Sequence, residues 1–141
     1  MHTFRFETRV DTSKDQAWDF LSDAKALSRL TVFPQVKTSG DTRTRAGNTI
    51  RLRVGVSPLF VSWTSWIPFV EEYVFVDVGT KVPYPFRAWC HVHRVEERGS
   101  GVYFVDEVTY ASFLPAFFIE AFILKPMFKQ RKNAILNHFQ G

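Results

Sequence analysis

One stretch, PFRAWCHVHRVEERGSGVYFVDEVTY from Pro85 to Tyr110, limits the fold more than any other. Its first arm alternates Arg87, Trp89, His91 and His93 with Phe86, Ala88, Cys90 and Val92. Its second alternates Val102, Phe104, Asp106, Val108 and Tyr110 with Tyr103, Val105, Glu107 and Thr109. Period-two alternation in β-branched and aromatic residues specifies two strands. Gly99-Ser100-Gly101 between them supplies glycine, which tolerates the positive φ of a hairpin turn. With Gly99 and Ser100 as the loop, the ladder sets His93 opposite Asp106, His91 opposite Val108 and Trp89 opposite Tyr110 on one face. A slip of one residue would send that whole set to the other face. Trp89, His91, His93, Asp106 and Tyr110 thus form a mostly aromatic stripe with a few polar groups, the usual composition of a small-molecule pocket wall.

The flanking chain reads in order as follows. Thr3 to Val10 alternates Phe4, Phe6, Thr8 and Val10 with Arg5, Glu7 and Arg9, a half-exposed strand. Asp11-Thr12-Ser13 offers N-caps for a short helix over Lys14 to Ser22, with Ala17, Trp18 and Leu21 at helical spacing. A second short helix spans Asp23 to Leu30, and Phe33-Pro34 stops it. Gln35 to Ser39 is a weak strand and Asn48 to Val56 a clear one, with Ile50, Leu52 and Val54 inward and Arg51 and Arg53 outward. Ser57-Pro58 turns the chain into two aromatic strands, Val61 to Phe69 and Glu71 to Val78, and Gly79 to Pro85 reads as a loop. Leu114 to Phe139 is a long helix with Pro115 in its first turn. Phe117, Phe118, Ala121, Phe122 and Leu124 make its first half apolar nearly all round, so that half is expected to be buried or to cap a cavity. Pro126 is expected to kink or break it.

This order is an α+β arrangement. A curled antiparallel sheet of about six or seven strands grips a long C-terminal helix, and two short helices follow strand one. The 141 residues form one domain, 1–141, large enough for a sizeable core. Fifteen Phe and four Trp favour a core built of rings. A net charge of +4 is mild, and a lone Cys90 cannot form an internal disulfide and reads as an inert mid-strand thiol. The start lacks a secretory pattern and no run is long enough to span a membrane, so a cytoplasmic location is expected.

Trp, the paired histidines, the Gly turn and the Asp-Glu-Val-Thr-Tyr of residues 106–110, with Phe75 and Asp77 before them, resemble a stretch of the START-related superfamily. That superfamily includes birch-pollen allergens, polyketide cyclase/dehydrase proteins and lipid-transport proteins. Asp11 to Leu21 resembles its first helix. The resemblance implies a helix-grip fold around a hydrophobic-ligand cavity, and it implies no single reaction, because members bind, carry or transform their ligands. Ala111-Ser112-Phe113-Leu114-Pro115 departs from the Pro-Gly-containing link of similar proteins.

Each candidate site has a plain structural counterpart. Trp63, Trp66, Phe75, Trp89, Tyr110, Phe118 and Phe122 are candidate cavity-lining residues, or else members of a ring-filled core. His91, His93, Asp106 and Tyr110 would orient a ligand by hydrogen bonds. His91 and His93 could also ligate a metal with Asp106. With one carboxylate in reach and no thiolate, no metal and no cofactor are expected. His93 with Asp106 is the candidate acid/base pair of a cyclase- or dehydratase-like enzyme. As a merely structural cross-strand pair it would contribute about 0.2–1 kcal/mol. Arg43, Arg45, Arg51 and Arg53 read as a solvated strand face, so no nucleic-acid partner is expected. Phe113 to Leu124 is too short to span a membrane but suits transient contact with one. The expected function is binding of a small hydrophobic molecule, with catalysis or a protein-interaction role on the convex face as alternatives.

Overall fold

The computed structural model describes residues 1–30, 35–56 and 58–140. The chain runs β1 (His2–Val10), α1 (Lys14–Leu21), α2 (Ala24–Leu30), β2 (Gln35–Ser39), β3 (Thr49–Val56), β4 (Leu59–Glu71), β5 (Val74–Lys81), β6 (Phe86–Arg98) and β7 (Gly101–Ser112). A C-terminal helix follows in three joined parts: α3 (Ala116–Ile119), a π-helical turn (Glu120–Leu124) and α4 (Lys125–Gln140). The expected stop at Phe33-Pro34 and the Ser57 half of the Ser57-Pro58 turn lie outside the described residues.

All seven strands form one antiparallel sheet in the order β1-β7-β6-β5-β4-β3-β2. Strands β2 to β7 make a meander, and β1 pairs with the far edge of β7. The sheet curls around the C-terminal helix, so the concave face and the helix share the interior. The central ladder has the register read from the sequence, with Trp89 opposite Tyr110, His91 opposite Val108 and His93 opposite Asp106. Gly99 takes the turn at φ +57°. Helix α1 starts on Ser13, whose hydroxyl accepts from the Gln16 N–H at 3.1 Å, a cap that contributes about 1 kcal/mol.

The core divides into two clusters. Ala17 and Leu21 of α1 pack with Val10, Val95, Val102, Phe104 and Ile135. Phe4, Phe86, Trp89, Val108 and Tyr110 pack against Ile119, Leu124 and Phe128. Each fully buried side chain of this kind contributes roughly 1.5–3 kcal/mol, so the helix is anchored at both ends of its length.

Five local readings are corrected. A bulge between Phe86 and Ala88 turns Phe86 inward and leaves Arg87 exposed, so Arg87 does not share the face of Trp89. Glu71 belongs to β4, and Glu72-Tyr73 is the hairpin turn, with Tyr73 at φ +68°. Gly79 lies inside β5 rather than in a loop. A Cβ there would sit 3.1 Å from the Trp89 Cβ, so glycine marks a close approach. Pro126 neither breaks nor ends the helix: the turn before it widens, and the Lys125 N–H bonds the Glu120 carbonyl. Finally, Phe117 and Phe122 are 74% and 67% exposed, and Phe118 is also exposed. Of the expected set Leu124 is buried, and Ile119 is buried with it.

Candidate functional site

Between the two core clusters lies a cavity of about 180 Å³. Its apolar wall includes Leu21, Ile50, Ile67, Phe75, Phe86, Trp89 and Leu124, and Trp63 closes on Trp89 edge to face at 4.9 Å. The polar side chains on it include Ser65, Asp77, His91, His93 and Arg131. Strand parity builds this wall. Trp63, Ser65 and Ile67 alternate inward on β4, Phe75 and Asp77 on β5, and Trp89, His91 and His93 on β6. In the β5–β6 ladder Asp77 is opposite His91 and Phe75 is opposite His93.

The two imidazoles stack, with centroids 3.5 Å apart and planes 24° from parallel. Phe75 continues the column, 4.0 Å from His93 and 9° from parallel. Each carboxylate faces both rings. His91 Nε2 is 2.8 Å from Asp106 Oδ1, and His91 Nδ1 is 4.0 Å from Asp77 Oδ2. His93 Nε2 bonds Asp77 Oδ2, and His93 Nδ1 is 3.8 Å from Asp106 Oδ1, without a hydrogen bond of its own. Asp77 is further fixed by the Ser65 hydroxyl at 3.3 Å, which in turn accepts from the Trp63 indole at 2.9 Å.

Burial opposes ionisation of Asp77. The hydrogen bond from His93, with the nearby His91 ring and Ser65, outweighs it and holds the carboxyl below its usual range. Asp106 is likewise held down, against burial, chiefly by His91 and with help from His93 and Arg131. Burial, followed by the adjacent His91, pushes His93 below the ordinary imidazole range despite both aspartates. The cluster therefore sets two ionised buried carboxylates around a stacked imidazole pair.

Of the residues picked out in the sequence, Trp63, Phe75, Trp89, His91 and His93 line the cavity together. Trp66 does not: it lies three residues from Trp63, hence on the opposite face, and is 43% exposed. Tyr110 is wholly buried and donates to Glu120 at 3.0 Å away from the cavity lining. Phe118 and Phe122 contact each other on the outer face of the helix. Asp106 sits behind the histidines, against a separate void of about 10 Å³ shared with His93 and Arg131. The expected His93–Asp106 pair is replaced by His93–Asp77 and His91–Asp106. Side chains lean along the strand, so direct opposition in the ladder did not fix the partner. Asp77, Ser65 and Arg131 were not picked out as site residues. The inward parity of Asp77 with Phe75 was the available signal. Cys90 faces away from this group, with a thiol pushed up by burial and by Asp77.

No family model and no curated protein matches the chain. Solved structures share its fold. A Thermobifida fusca protein superimposes at a TM-score of 0.77 with 18% identity, over 99% of this chain and 93% of that one. Major latex-like protein 151 from Panax ginseng does so at 0.74 with 9% identity, over 99% and 98%. Ara h 8.0201 does so at 0.71 with 14% identity, over 99% and 97%. These likenesses establish a helix-grip fold across the whole chain. Among the described residues, no helix is long and apolar enough to cross a membrane.

Proposed function

We propose that this chain binds a small, mainly apolar molecule in the cavity, oriented by hydrogen bonds from its polar wall. One observation carries the reading: a cavity of about 180 Å³ with Ser65, Asp77, His91, His93 and Arg131 on a mainly apolar lining. An apolar cavity of about 150 Å³ admits benzene, so the space here suits an aromatic ring bearing a short substituent. Apolar burial supplies affinity at roughly 25 cal/mol per Å², and Ser65, Asp77 and the histidines select a ligand with one polar end.

Titration with 2-naphthol, read by its fluorescence and by the melting temperature, tests the proposal. Binding at one site per chain that is lost in Ile67→Trp, a substitution that fills the cavity, supports it. No binding by 2-naphthol, or binding that Ile67→Trp leaves intact, refutes it. The outer helix face fits a route of loading from a membrane. Exposed Phe117, Phe118 and Phe122 stand on the same helix as exposed Lys125 and Lys129, and the pairing of rings with cations complements anionic lipid. Co-sedimentation with phosphatidylserine vesicles that is lost in Phe117→Ser/Phe122→Ser would support that route, and equal sedimentation of both proteins would rule it out.

A further inference from the structure

The sequence argued against a metal because one carboxylate stood within reach of the two histidines, and the fold brings in a second. We propose that Asp77, His91 and His93 form a binding site for a divalent transition metal, zinc foremost, at the polar wall of the cavity. The three side chains each present one donor atom, and these atoms lie within 4.8 Å of one another. Zinc bound at about 2.0–2.2 Å by nitrogen and oxygen in a tetrahedral site needs donors roughly 3.3–3.5 Å apart. To reach that geometry the His91 Nδ1–Asp77 distance of 4.0 Å closes, the tight His93–Asp77 contact opens, and the two stacked rings fan apart so that their in-plane lone pairs converge. Two imidazoles with one carboxylate, and further positions open to a cavity, is a recognised donor set for zinc and for non-haem iron.

The arrangement behind the rings makes the case stronger than the donor set alone. His91 Nδ1 and His93 Nε2 face Asp77, while the opposite nitrogens, His91 Nε2 and His93 Nδ1, both face Asp106. Histidines that ligate a metal through one nitrogen almost always give the other N–H to a carboxylate, carbonyl or water. His91 Nε2 stands 2.8 Å from Asp106 Oδ1, and in the tautomer that donates from Nε2 the lone-pair nitrogen is Nδ1, which faces Asp77. His93 Nδ1 is buried with no hydrogen bond. Coordination through Nε2 would place the His93 proton on Nδ1, facing Asp106 at 3.8 Å. Metal binding would thus resolve an unpartnered buried nitrogen and set a dication between two buried carboxylates. Asp77, His91 and His93 all line the cavity, so a remaining coordination position faces the ligand space. A ligand bearing a carboxylate or phenolate oxygen would fill it. This last point rests on the binding role proposed above, whereas the metal site itself does not.

The test uses the full chain, stripped with chelator and titrated with Zn²⁺ and with Co²⁺ without any organic ligand. The expected result is one ion per chain, a raised melting temperature, and the intense visible absorption of four- or five-coordinate Co²⁺. Asp77→Asn and His91→Ala are expected to abolish binding. Asp106→Asn, which touches only the outer nitrogens, is expected to weaken it about 10–100-fold. Weak pink octahedral Co²⁺ absorption in the wild type overturns the proposal without any variant having to fold. Binding that persists unchanged in His91→Ala, verified as folded by circular dichroism, overturns it too by assigning the ion to other groups. Naphthol binding by metal-free protein separates the two readings, since loss of the metal site leaves that result standing.

Discussion

Asp77 is the residue on which the polar wall depends, and its removal is expected to be costly out of proportion to its size. Asp77→Ala deletes the acceptor for two buried donors, His93 Nε2–H and the Ser65 hydroxyl. Leaving a buried donor unsatisfied costs about 1–3 kcal/mol, and Asp77→Ala strands two of them. The expected loss is therefore about 2–6 kcal/mol, or a melting temperature lower by about 6–20 °C for a chain of this length. Asp77→Asn keeps an oxygen acceptor and is expected to lose about 1–2 kcal/mol, the charge-assisted part. Asp77→Leu/His93→Phe removes both partners and extends the ring stack from Phe75, and replacing both partners by apolar groups is often close to neutral. That double variant is expected within about 1.5 kcal/mol of the wild type. Urea unfolding followed by tryptophan fluorescence, with chelator present, measures all three. A cost below about 1 kcal/mol for Asp77→Ala, or a double variant as unstable as the sum of its single changes, would refute the argument that the cluster is desolvated and mutually satisfied.

Three further outcomes are expected. Leu124 is fully buried beside the cavity, so Leu124→Ala should lose about 2–5 kcal/mol, and an apolar ligand at 100 times its Kd should restore about 2.7 kcal/mol in a melting assay. Hydrogen bonds from Arg98 and Arg5 lower the Glu7 carboxyl to about 2. A depressed pKa contributes stability above the unfolded value, near 4.3, and loses it as pH falls toward 2. Urea midpoints of wild type and Glu7→Gln should therefore differ at pH 5 and converge by pH 2. Phe122→Ser, on the exposed helix face, should change stability by no more than about 0.5 kcal/mol, measured by the same unfolding assay.

The fold was legible because its signals are local. The hairpin's alternation and its glycine turn fixed register without any tertiary information, and the Ser13 cap marked the start of α1. The cavity was half legible. Parity within a strand separates Trp63 from Trp66 and joins Phe75 to Asp77, and neither distinction was drawn from the bare list of aromatics. The pairing of His93 with Asp77 depends on the β5–β6 register and on the lean of the side chains. Gly79 obscured that register, because it imitates a loop residue while serving a close approach to Trp89. The bulge at Phe86 was hidden for a related reason, since a single extra residue leaves the surrounding pattern intact.

The helix holds the remaining illegible feature, and it is testable. Ile119 and Leu124 are both fully buried although five residues apart, and Phe128 and Ile135 continue the same face. In an unbroken α-helix a step of five residues turns the side chain about 140° away from its start. The π-helical turn Glu120–Leu124 absorbs that error as one inserted residue. It also widens the backbone where Pro126, in an α-helix, would collide with the carbonyl four residues earlier. Deleting exposed Ala121 should then convert the turn to α-helix and keep Ile119 and Leu124 on one face, leaving only the proline unrelieved. Deletion of Ala121 alone is expected to lose about 3 kcal/mol or more through the proline. Deletion of Ala121 with Pro126→Ala should unfold within about 1.5 kcal/mol of the wild type and retain 2-naphthol binding. If the double change is no better than the deletion alone, the turn is not an inserted residue matched to Pro126, and the orientation of the helix over the cavity must be set by its packing at Ile119 and Phe128 instead.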